Sequence, residues 1–290
     1  MTYALVLGGG GVTGIAWETG LLKGLLEAGI DLTGADLVLG TSAGSVVGAQ
    51  IATGSSLDEL YGRQVERTAF QLERPPDLGR LLEYFASRGS GGDPRGQERP
   101  TREVLAWIGA QARAATTTVT EASRVRVISA RLPVHEWPER PLVVTAIDTA
   151  DGTLVQWQRS SDVPLTLAVA SSCAVPWVYP PVTINGRRYM DGGARSATNA
   201  DLAAGYDLVV VVAPTGGWVS RVLDQEIAEL RASGSRVELV VPDDRAIEAI
   251  GPNPLDPARR ARVAETGLAQ APAVAEALVG IREQLAVRHH

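Results

Sequence analysis

Four times along this chain of 290 residues, an apolar run of strand length is followed by a segment with helical periodicity. Tyr3–Leu7 precedes Ile15–Ala28, Asp36–Leu39 precedes Ala43–Thr53, Asp207–Ala213 precedes Val219–Ala232, and Arg236–Val241 precedes a helical tail from about residue 243. Strands that return in one direction through helices build a mainly parallel sheet, and such a sheet buries both faces under helices. The expectation is an α/β fold with a central sheet between two helical layers. Two hairpin signals add antiparallel strands: Pro141–Asp148 and Thr153–Arg159 flank Asp151-Gly152, while Val178–Ile184 and Arg187–Met190 flank Asn185-Gly186. Both dipeptides suit tight turns.

Residues 56–130 interrupt the alternation with a mostly helical insertion, whose candidates are Leu57–Leu72, Leu78–Ala86, Arg102–Ala114 and Glu121–Ala130. Inside it, SRGSGGDPRGQERP (87–100) has neither period nor apolar content and is expected to be an exposed loop. It reads as a tolerated surface insertion or as part of a cap over a site. With 45% hydrophobic residues the chain can bury a full core, and residues 1–290 are expected to form one domain carrying that insertion and the helical tail.

A net charge of −6 argues against a nucleic-acid partner, because phosphate binding draws on clustered Lys and Arg. The single cysteine, Cys173, excludes an internal disulfide framework and reads as a small buried apolar residue. The N-terminus enters a strand at once, without a basic or long apolar leader, so a cytoplasmic location is expected. No apolar run reaches the ~20 residues of a membrane span, so any membrane contact is expected to be peripheral. His289 and His290 read as a tag remnant. Neither H-E-x-x-H nor a Cys/His cluster occurs, so no metal and no cofactor are expected.

Two motifs carry chemistry. LVLGTSAGSVVG (37–48) runs from an apolar strand through Gly40-Thr41-Ser42-Ala43-Gly44 into a helical pattern. This is G-x-S-x-G in the strand-turn-helix setting that exposes a serine at a helix N-terminus. Ser42 reads as a nucleophile, or more plainly as a helix cap in a glycine-rich turn. VLGGGGVTGIAWETG (6–20) holds Gly9-x-Gly11-x-x-Gly14 after a strand. Such a loop cradles either a dinucleotide phosphate or the oxyanion of an acyl transfer.

A nucleophilic serine needs a base. The internal histidine, His135, lies in the Pro- and charge-rich LPVHEWPERP, and reads as a surface or structural residue. A carboxylate held in a water-excluding site gains basicity and can take the proton directly. Asp191 in RRYMDGGARS fits that role: it follows a short strand and precedes Gly192-Gly193, although DGG also reads as an ordinary turn.

Taken in order, LGGGGVTG (7–14), GTSAG (40–44), and DGG (191–193) with its approach ASSCAVPWVYPPVTINGRRYMDGG (170–193) resemble the patatin-like phospholipase family over roughly residues 3–215. The resemblance implies a three-layer α/β/α sandwich and a Ser-Asp dyad that hydrolyses lipid acyl esters as a phospholipase A or lysophospholipase. It implies Ser42 as nucleophile and Asp191 as proton acceptor. It also implies oxyanion donors from the backbone N–H groups of Gly9, Gly10 and Gly11, joined by Ala43. Many members carry Arg where this chain has Thr13, and that Arg would steer an anionic head group. Trp177 reads as an acyl-pocket wall or as simple packing, and Trp107, Trp137, Trp157 and Trp218 as interfacial or core residues.

Two rival readings remain. One is an acyltransferase or thioesterase on the same fold, because water and other acceptors attack the same acyl-enzyme. The other is a dinucleotide-binding protein, which needs an acidic residue at the end of its second strand. Asp31 follows a segment too short for a strand, and Asp36 begins its strand rather than ending it.

Overall fold

A computed structural model describes residues 2–66, 76, 78–81, 83, 98–215 and 221–281. Eight strands form one sheet: β1 (Tyr3–Leu7), β2 (Leu37–Gly40), β3 (Leu142–Asp148), β4 (Leu154–Trp157), β5 (Val182–Ile184), β6 (Arg187–Asp191), β7 (Leu208–Val212) and β8 (Arg236–Val240). Their order is β5-β6-β3-β2-β1-β7-β8, with β4 also paired to β3. The pairs β1–β2, β1–β7, β2–β3 and β7–β8 are parallel, whereas β4 and β6 run antiparallel to β3, and β5 to β6.

The strands are apolar at nearly every position because both faces are covered. From β1, Tyr3, Leu5 and Leu7 enter one core, and Ala4 and Val6 enter the other. The first core is closed by α1 (Gly11–Glu27), α2 (Ala43–Ala52), α3 (Leu57–Val65), and parts of three further helices: α5 (Glu121–Arg131), α6 (Leu165–Ser172) and α9 (Arg260–Ala277). The opposite core is closed by Leu223, Ile227 and Leu230 of α7 (Arg221–Ala232). A smaller cluster sets Leu105 and Ile108 of α4 (Arg102–Ala114) on Ile147 and Met190. The short α8 (Asp244–Ile250) starts at Asp243, whose carboxylate accepts from the Ala246 N–H at 2.8 Å. The fold is therefore an α/β sandwich with a mainly parallel central sheet. Among the described residues, no helix is long and apolar enough to cross a membrane.

Several expected boundaries move. The strand expected over Val178–Ile184 is confined to Val182–Ile184. Pro180 and Pro181 lack the N–H groups a ladder needs, and Trp177 turns the chain at φ 65°. The Asn185-Gly186 hairpin closes as a two-residue turn with both residues at positive φ, while Asp151-Gly152 belongs to a longer connection in which the Gly152 N–H donates to the Asp148 carbonyl. Helix α3 ends at Val65, so residues 67–72 of that candidate lie outside the described residues, as does much of Leu78–Ala86. Of the expected loop 87–100 only 98–100 are described, and Arg99 is anchored by an ion pair to Glu229 at 2.9 Å. Trp218, His289 and His290 lie outside the described residues.

Candidate active site

The sheet register brings the two sequence candidates to one place. Gly40 pairs with Val144, so Ser42, two residues further, reaches the level of Ala146. There β6, running antiparallel along the same edge of β3 beyond the end of β2, pairs Asp191 with Ala146, while β4 takes the opposite edge. Both side chains are buried, Ser42 at 8% and Asp191 at 4% exposure.

Ser42 occupies φ 53°, ψ −113°, a conformation costly for a residue with a Cβ, at the N-cap of α2. Its surroundings hold it there. The Ser42 N–H donates to Ser172 Oγ at 2.9 Å, and the Ser42 carbonyl accepts from Ser45 Oγ at 2.7 Å and from Cys173 Sγ at 3.3 Å. The elbow is also tied to β1, since the Thr41 N–H donates to the Leu7 carbonyl and the Gly44 N–H to the Gly8 carbonyl. At Gly44 a side chain would overlap the Leu7 carbonyl, so the close crossing of α2 and β1 requires glycine.

Asp191 accepts the Gly193 N–H at 2.7 Å, and its own N–H donates to the Ala174 carbonyl at 3.0 Å. Burial pushes the carboxyl pKa up to about 7; the Gly193 N–H, the Ser42 hydroxyl and the Arg124 charge oppose that rise. A carboxyl near neutrality is ionised often enough to take a proton and basic enough to hold it.

The glycine loop lies over Ser42: a Cβ on Gly9 would stand 3.4 Å from Ser42 Cβ. The Gly9 N–H donates to the Ala197 carbonyl at 2.7 Å. The loop after Asp191 runs past the glycines and presents that acceptor. Among the described residues, the N–H groups of Gly10, Gly11 and Ala43 meet no acceptor. Gly11 and Ala43 open α1 and α2, where the first N–H groups have no intrahelical partner and the helix dipole favours negative charge. Gly11 sits at φ 62°, and a side chain there would meet the Pro254 carbonyl at 2.6 Å. Gly14 lies against Ala43 and Pro214.

Thr13 faces the same segment. Its N–H and its hydroxyl both donate to the Pro254 carbonyl, at 3.1 and 3.0 Å. It fastens the tail over the start of α1. Beside it, Leu255 joins Leu78, Val178 and Tyr179 in an apolar cluster between the glycine loop and the turn before β5. Arg124 stacks on the Tyr179 ring, 3.8 Å from its centroid. A small crevice of about 20 Å³ is lined by Val12, Ile15 and Val46 together with Gln50, Arg131 and Arg260.

Other sequence candidates lie elsewhere. Trp177 packs with the Leu105–Met190 cluster on the far side of the turn. Trp157 is buried edge-on to Tyr189 and donates to Ser171 Oγ, Trp137 donates to the Val163 carbonyl, and Trp107 is exposed. His135 is exposed and its ring meets Ser129. Cys173 is buried, and burial pushes its thiol up to about 11. Asp36 accepts the Tyr3 N–H at the start of β1, the end of the sheet away from the glycine loop, and Asp31 accepts from Thr33. Neither acid stands where a dinucleotide ribose would need it. Among the described residues, no group of three His, Cys, Asp or Glu side chains gathers to hold a metal. Ser172, which fixes the Ser42 amide, was not singled out by sequence, although it sits in the ASSCAVPW block that leads to Asp191.

A sequence profile described as Patatin-like phospholipase matches residues 5–204. The lysophospholipase nte1 of Aspergillus oryzae is 49% identical over 62 residues, which are 21% of this chain and 4% of that protein. An uncharacterized NTE family protein of Mycobacterium tuberculosis is 28% identical over 228 residues, covering 77% of this chain and 52% of its own length. This chain thus spans about half of the mycobacterial relative and a small part of the fungal one. Among solved structures, VipD from Legionella pneumophila aligns at a TM-score of 0.47 and 14% identity, over 95% of this chain and 67% of that one. ExoU aligns at a TM-score of 0.39 and 16% identity, over 94% and 53%. With the profile covering well over half of its length, and the glycine loop, the elbow and the DGG strand all inside the matched region, the chain belongs to the patatin-like phospholipase family.

Proposed function

We propose that this chain hydrolyses lipid acyl esters, as a phospholipase A or lysophospholipase, with Ser42 as nucleophile and Asp191 as general base. The observation that carries the reading is the register that brings Asp191 and Ser42 together on one edge of β3, in a site where burial brings the Asp191 carboxyl to about 7. Ser42 Oγ attacks the ester carbonyl and its proton passes to the Asp191 carboxylate. The carbonyl oxygen becomes an oxyanion received by the N–H groups of Gly10, Gly11 and Ala43. Collapse expels the alcohol, which leaves with the proton from Asp191, and the acyl group stays on Ser42. Water then attacks the acyl-enzyme, gives its proton to Asp191, and the acid departs as Ser42 recovers its own. The apolar cluster of Leu78, Val178, Tyr179 and Leu255 flanks the glycine loop and suits an acyl chain. The name of the fungal relative favours a lysophospholipid among the substrates.

The test is turnover of a short nitrophenyl ester and of a lysophospholipid by the wild type, Ser42→Ala and Asp191→Asn. Both variants are expected to lose activity by several orders of magnitude while melting cooperatively; equal turnover by all three overturns the dyad.

A further inference from the structure

We propose that Asn199 is a positioning residue that sets the separation between nucleophile and base; the inference rests on the Ser42–Asp191 reading. Ser42 follows β2 and Asp191 ends β6, and these strands pair with β3 but never with each other. They lie end to end along one edge of β3, Gly40 beside Val144 and Asp191 beside Ala146, and no ladder bond joins their ends directly. Asn199 is fully buried, and the two hydrogens of its side-chain Nδ2 are shared among Thr41 Oγ1 at 3.1 Å, the Gly192 carbonyl at 3.3 Å and the Ser196 carbonyl at 2.8 Å. Thr41 precedes the nucleophile and Gly192 follows the base. One amide therefore grips the neighbour of each dyad member.

The direction of these bonds follows from chemistry. An amide nitrogen only donates, so Thr41 Oγ1 accepts from Asn199 and has its own proton to give. Thr145 Oγ1, on β3 between the register positions Val144 and Ala146, stands 2.8 Å away, and its proton is directed at the Gly40 carbonyl at 3.5 Å. The chain Asn199 to Thr41 to Thr145 to Gly40 thus ties the loop after Asp191 to the elbow and the elbow to the strand that β2 and β6 both pair with. Asn199 is itself fixed. Its Oδ1 accepts from Arg195 Nη1 at 2.7 Å, and Arg195 is held by both oxygens of Asp201. On either side of it, the Thr198 hydroxyl and the Ala200 N–H donate to buried Glu226. The backbone of Asn199 lies at φ 50°, ψ 35°, which asparagine and glycine both accept.

That conformation supplies the decisive variant, since Asn199→Gly removes the amide while keeping the backbone unstrained. It is paired with Thr41→Val, which keeps the shape and deletes the hydroxyl. With either change kcat on the nitrophenyl ester is expected to fall about 10- to 100-fold while KM stays within about twofold, because a displaced dyad fails in the transition state rather than in binding. The double variant is expected to be no slower than the worse single one, since both cut the same bridge. A lowered melting temperature with wild-type kcat in either variant would overturn the inference, and additive losses in kcat would do the same. If Asn199→Gly does not fold, Thr41→Val alone decides by the same split. Ser42→Ala, assayed alongside, separates the two readings. Turnover by Ser42→Ala sinks the dyad and this proposal with it, whereas an inactive Ser42→Ala beside full-rate Asn199→Gly and Thr41→Val sinks the bridge alone.

Discussion

The backbone N–H of Ser42 donates to the hydroxyl of Ser172 at 2.9 Å, across 130 residues of sequence. That bond holds a positive-φ serine at the mouth of α2 from the last residue of α6. Ser172→Ala leaves this buried N–H without a partner, and an unsatisfied buried donor costs about 1–3 kcal/mol. A matching loss in urea denaturation is expected, together with a reduced kcat; unchanged stability would show that the elbow holds itself.

Activity is expected to rise with pH through about 7, as the Asp191 carboxylate forms. Stability should move the opposite way. Below about pH 4 the group is protonated in both folded and unfolded chains and contributes nothing. Between about 4 and 7 the unfolded chain ionises first, so stability falls; above that the full cost, on the order of 4 kcal/mol, persists. Asp191→Asn should therefore melt higher than the wild type at pH 8 while being inactive. A lower melting temperature for the variant at pH 8 would contradict the sign.

Cys173 donates toward the Ser42 carbonyl, and burial, followed by the Asp191 charge, keeps its thiol protonated. Iodoacetamide at pH 8 should leave the folded protein unmodified and add one group per chain in denaturant, read by intact mass. Rapid labelling of the folded protein would mean that the strand ends open far enough to admit solvent.

Gly44→Ala should be among the most damaging single-methyl changes in the chain. The added Cβ points into the Leu7 carbonyl, a rigid strand atom, so α2 must retreat from β1. A loss of about 3 kcal/mol in stability is expected, with turnover falling as Ser42 moves with the helix. A neutral effect on both would show that the crossing has slack.

How much of this was legible in the sequence follows from how far each signal reaches. Tyr3–Leu7 and Arg102–Ala114 were read to the residue, because a fully apolar five-residue run and a capped amphipathic helix carry their boundaries locally. Ser42 and Asp191 were readable as candidates because each sits in a short glycine-flanked motif. The first strand of the hairpin that leads to Asp191, expected over Val178–Ile184, begins only at Val182, since the two prolines after apolar Val178 and Tyr179 cannot join a ladder. The partner of the Gly9 N–H was not legible at all, for a different reason. Whether an N–H is free depends on what passes beside it, and Ala197 arrives from 188 positions later. Asn199 and Ser172 carry no local signature at all, because their partners lie 158 and 130 residues away.

The descent of β6 along β3 has a further consequence. Side chains alternate across a strand, so sliding this antiparallel pair by a single residue would point the Asp191 carboxylate through to the other layer of the sandwich. With the proposed dyad, a mispaired molecule is expected to be chemically silent instead of promiscuous. A covalent titrant of Ser42 is then expected to count the molecules whose central sheet has assembled correctly, and the fraction it labels to report the fidelity of folding.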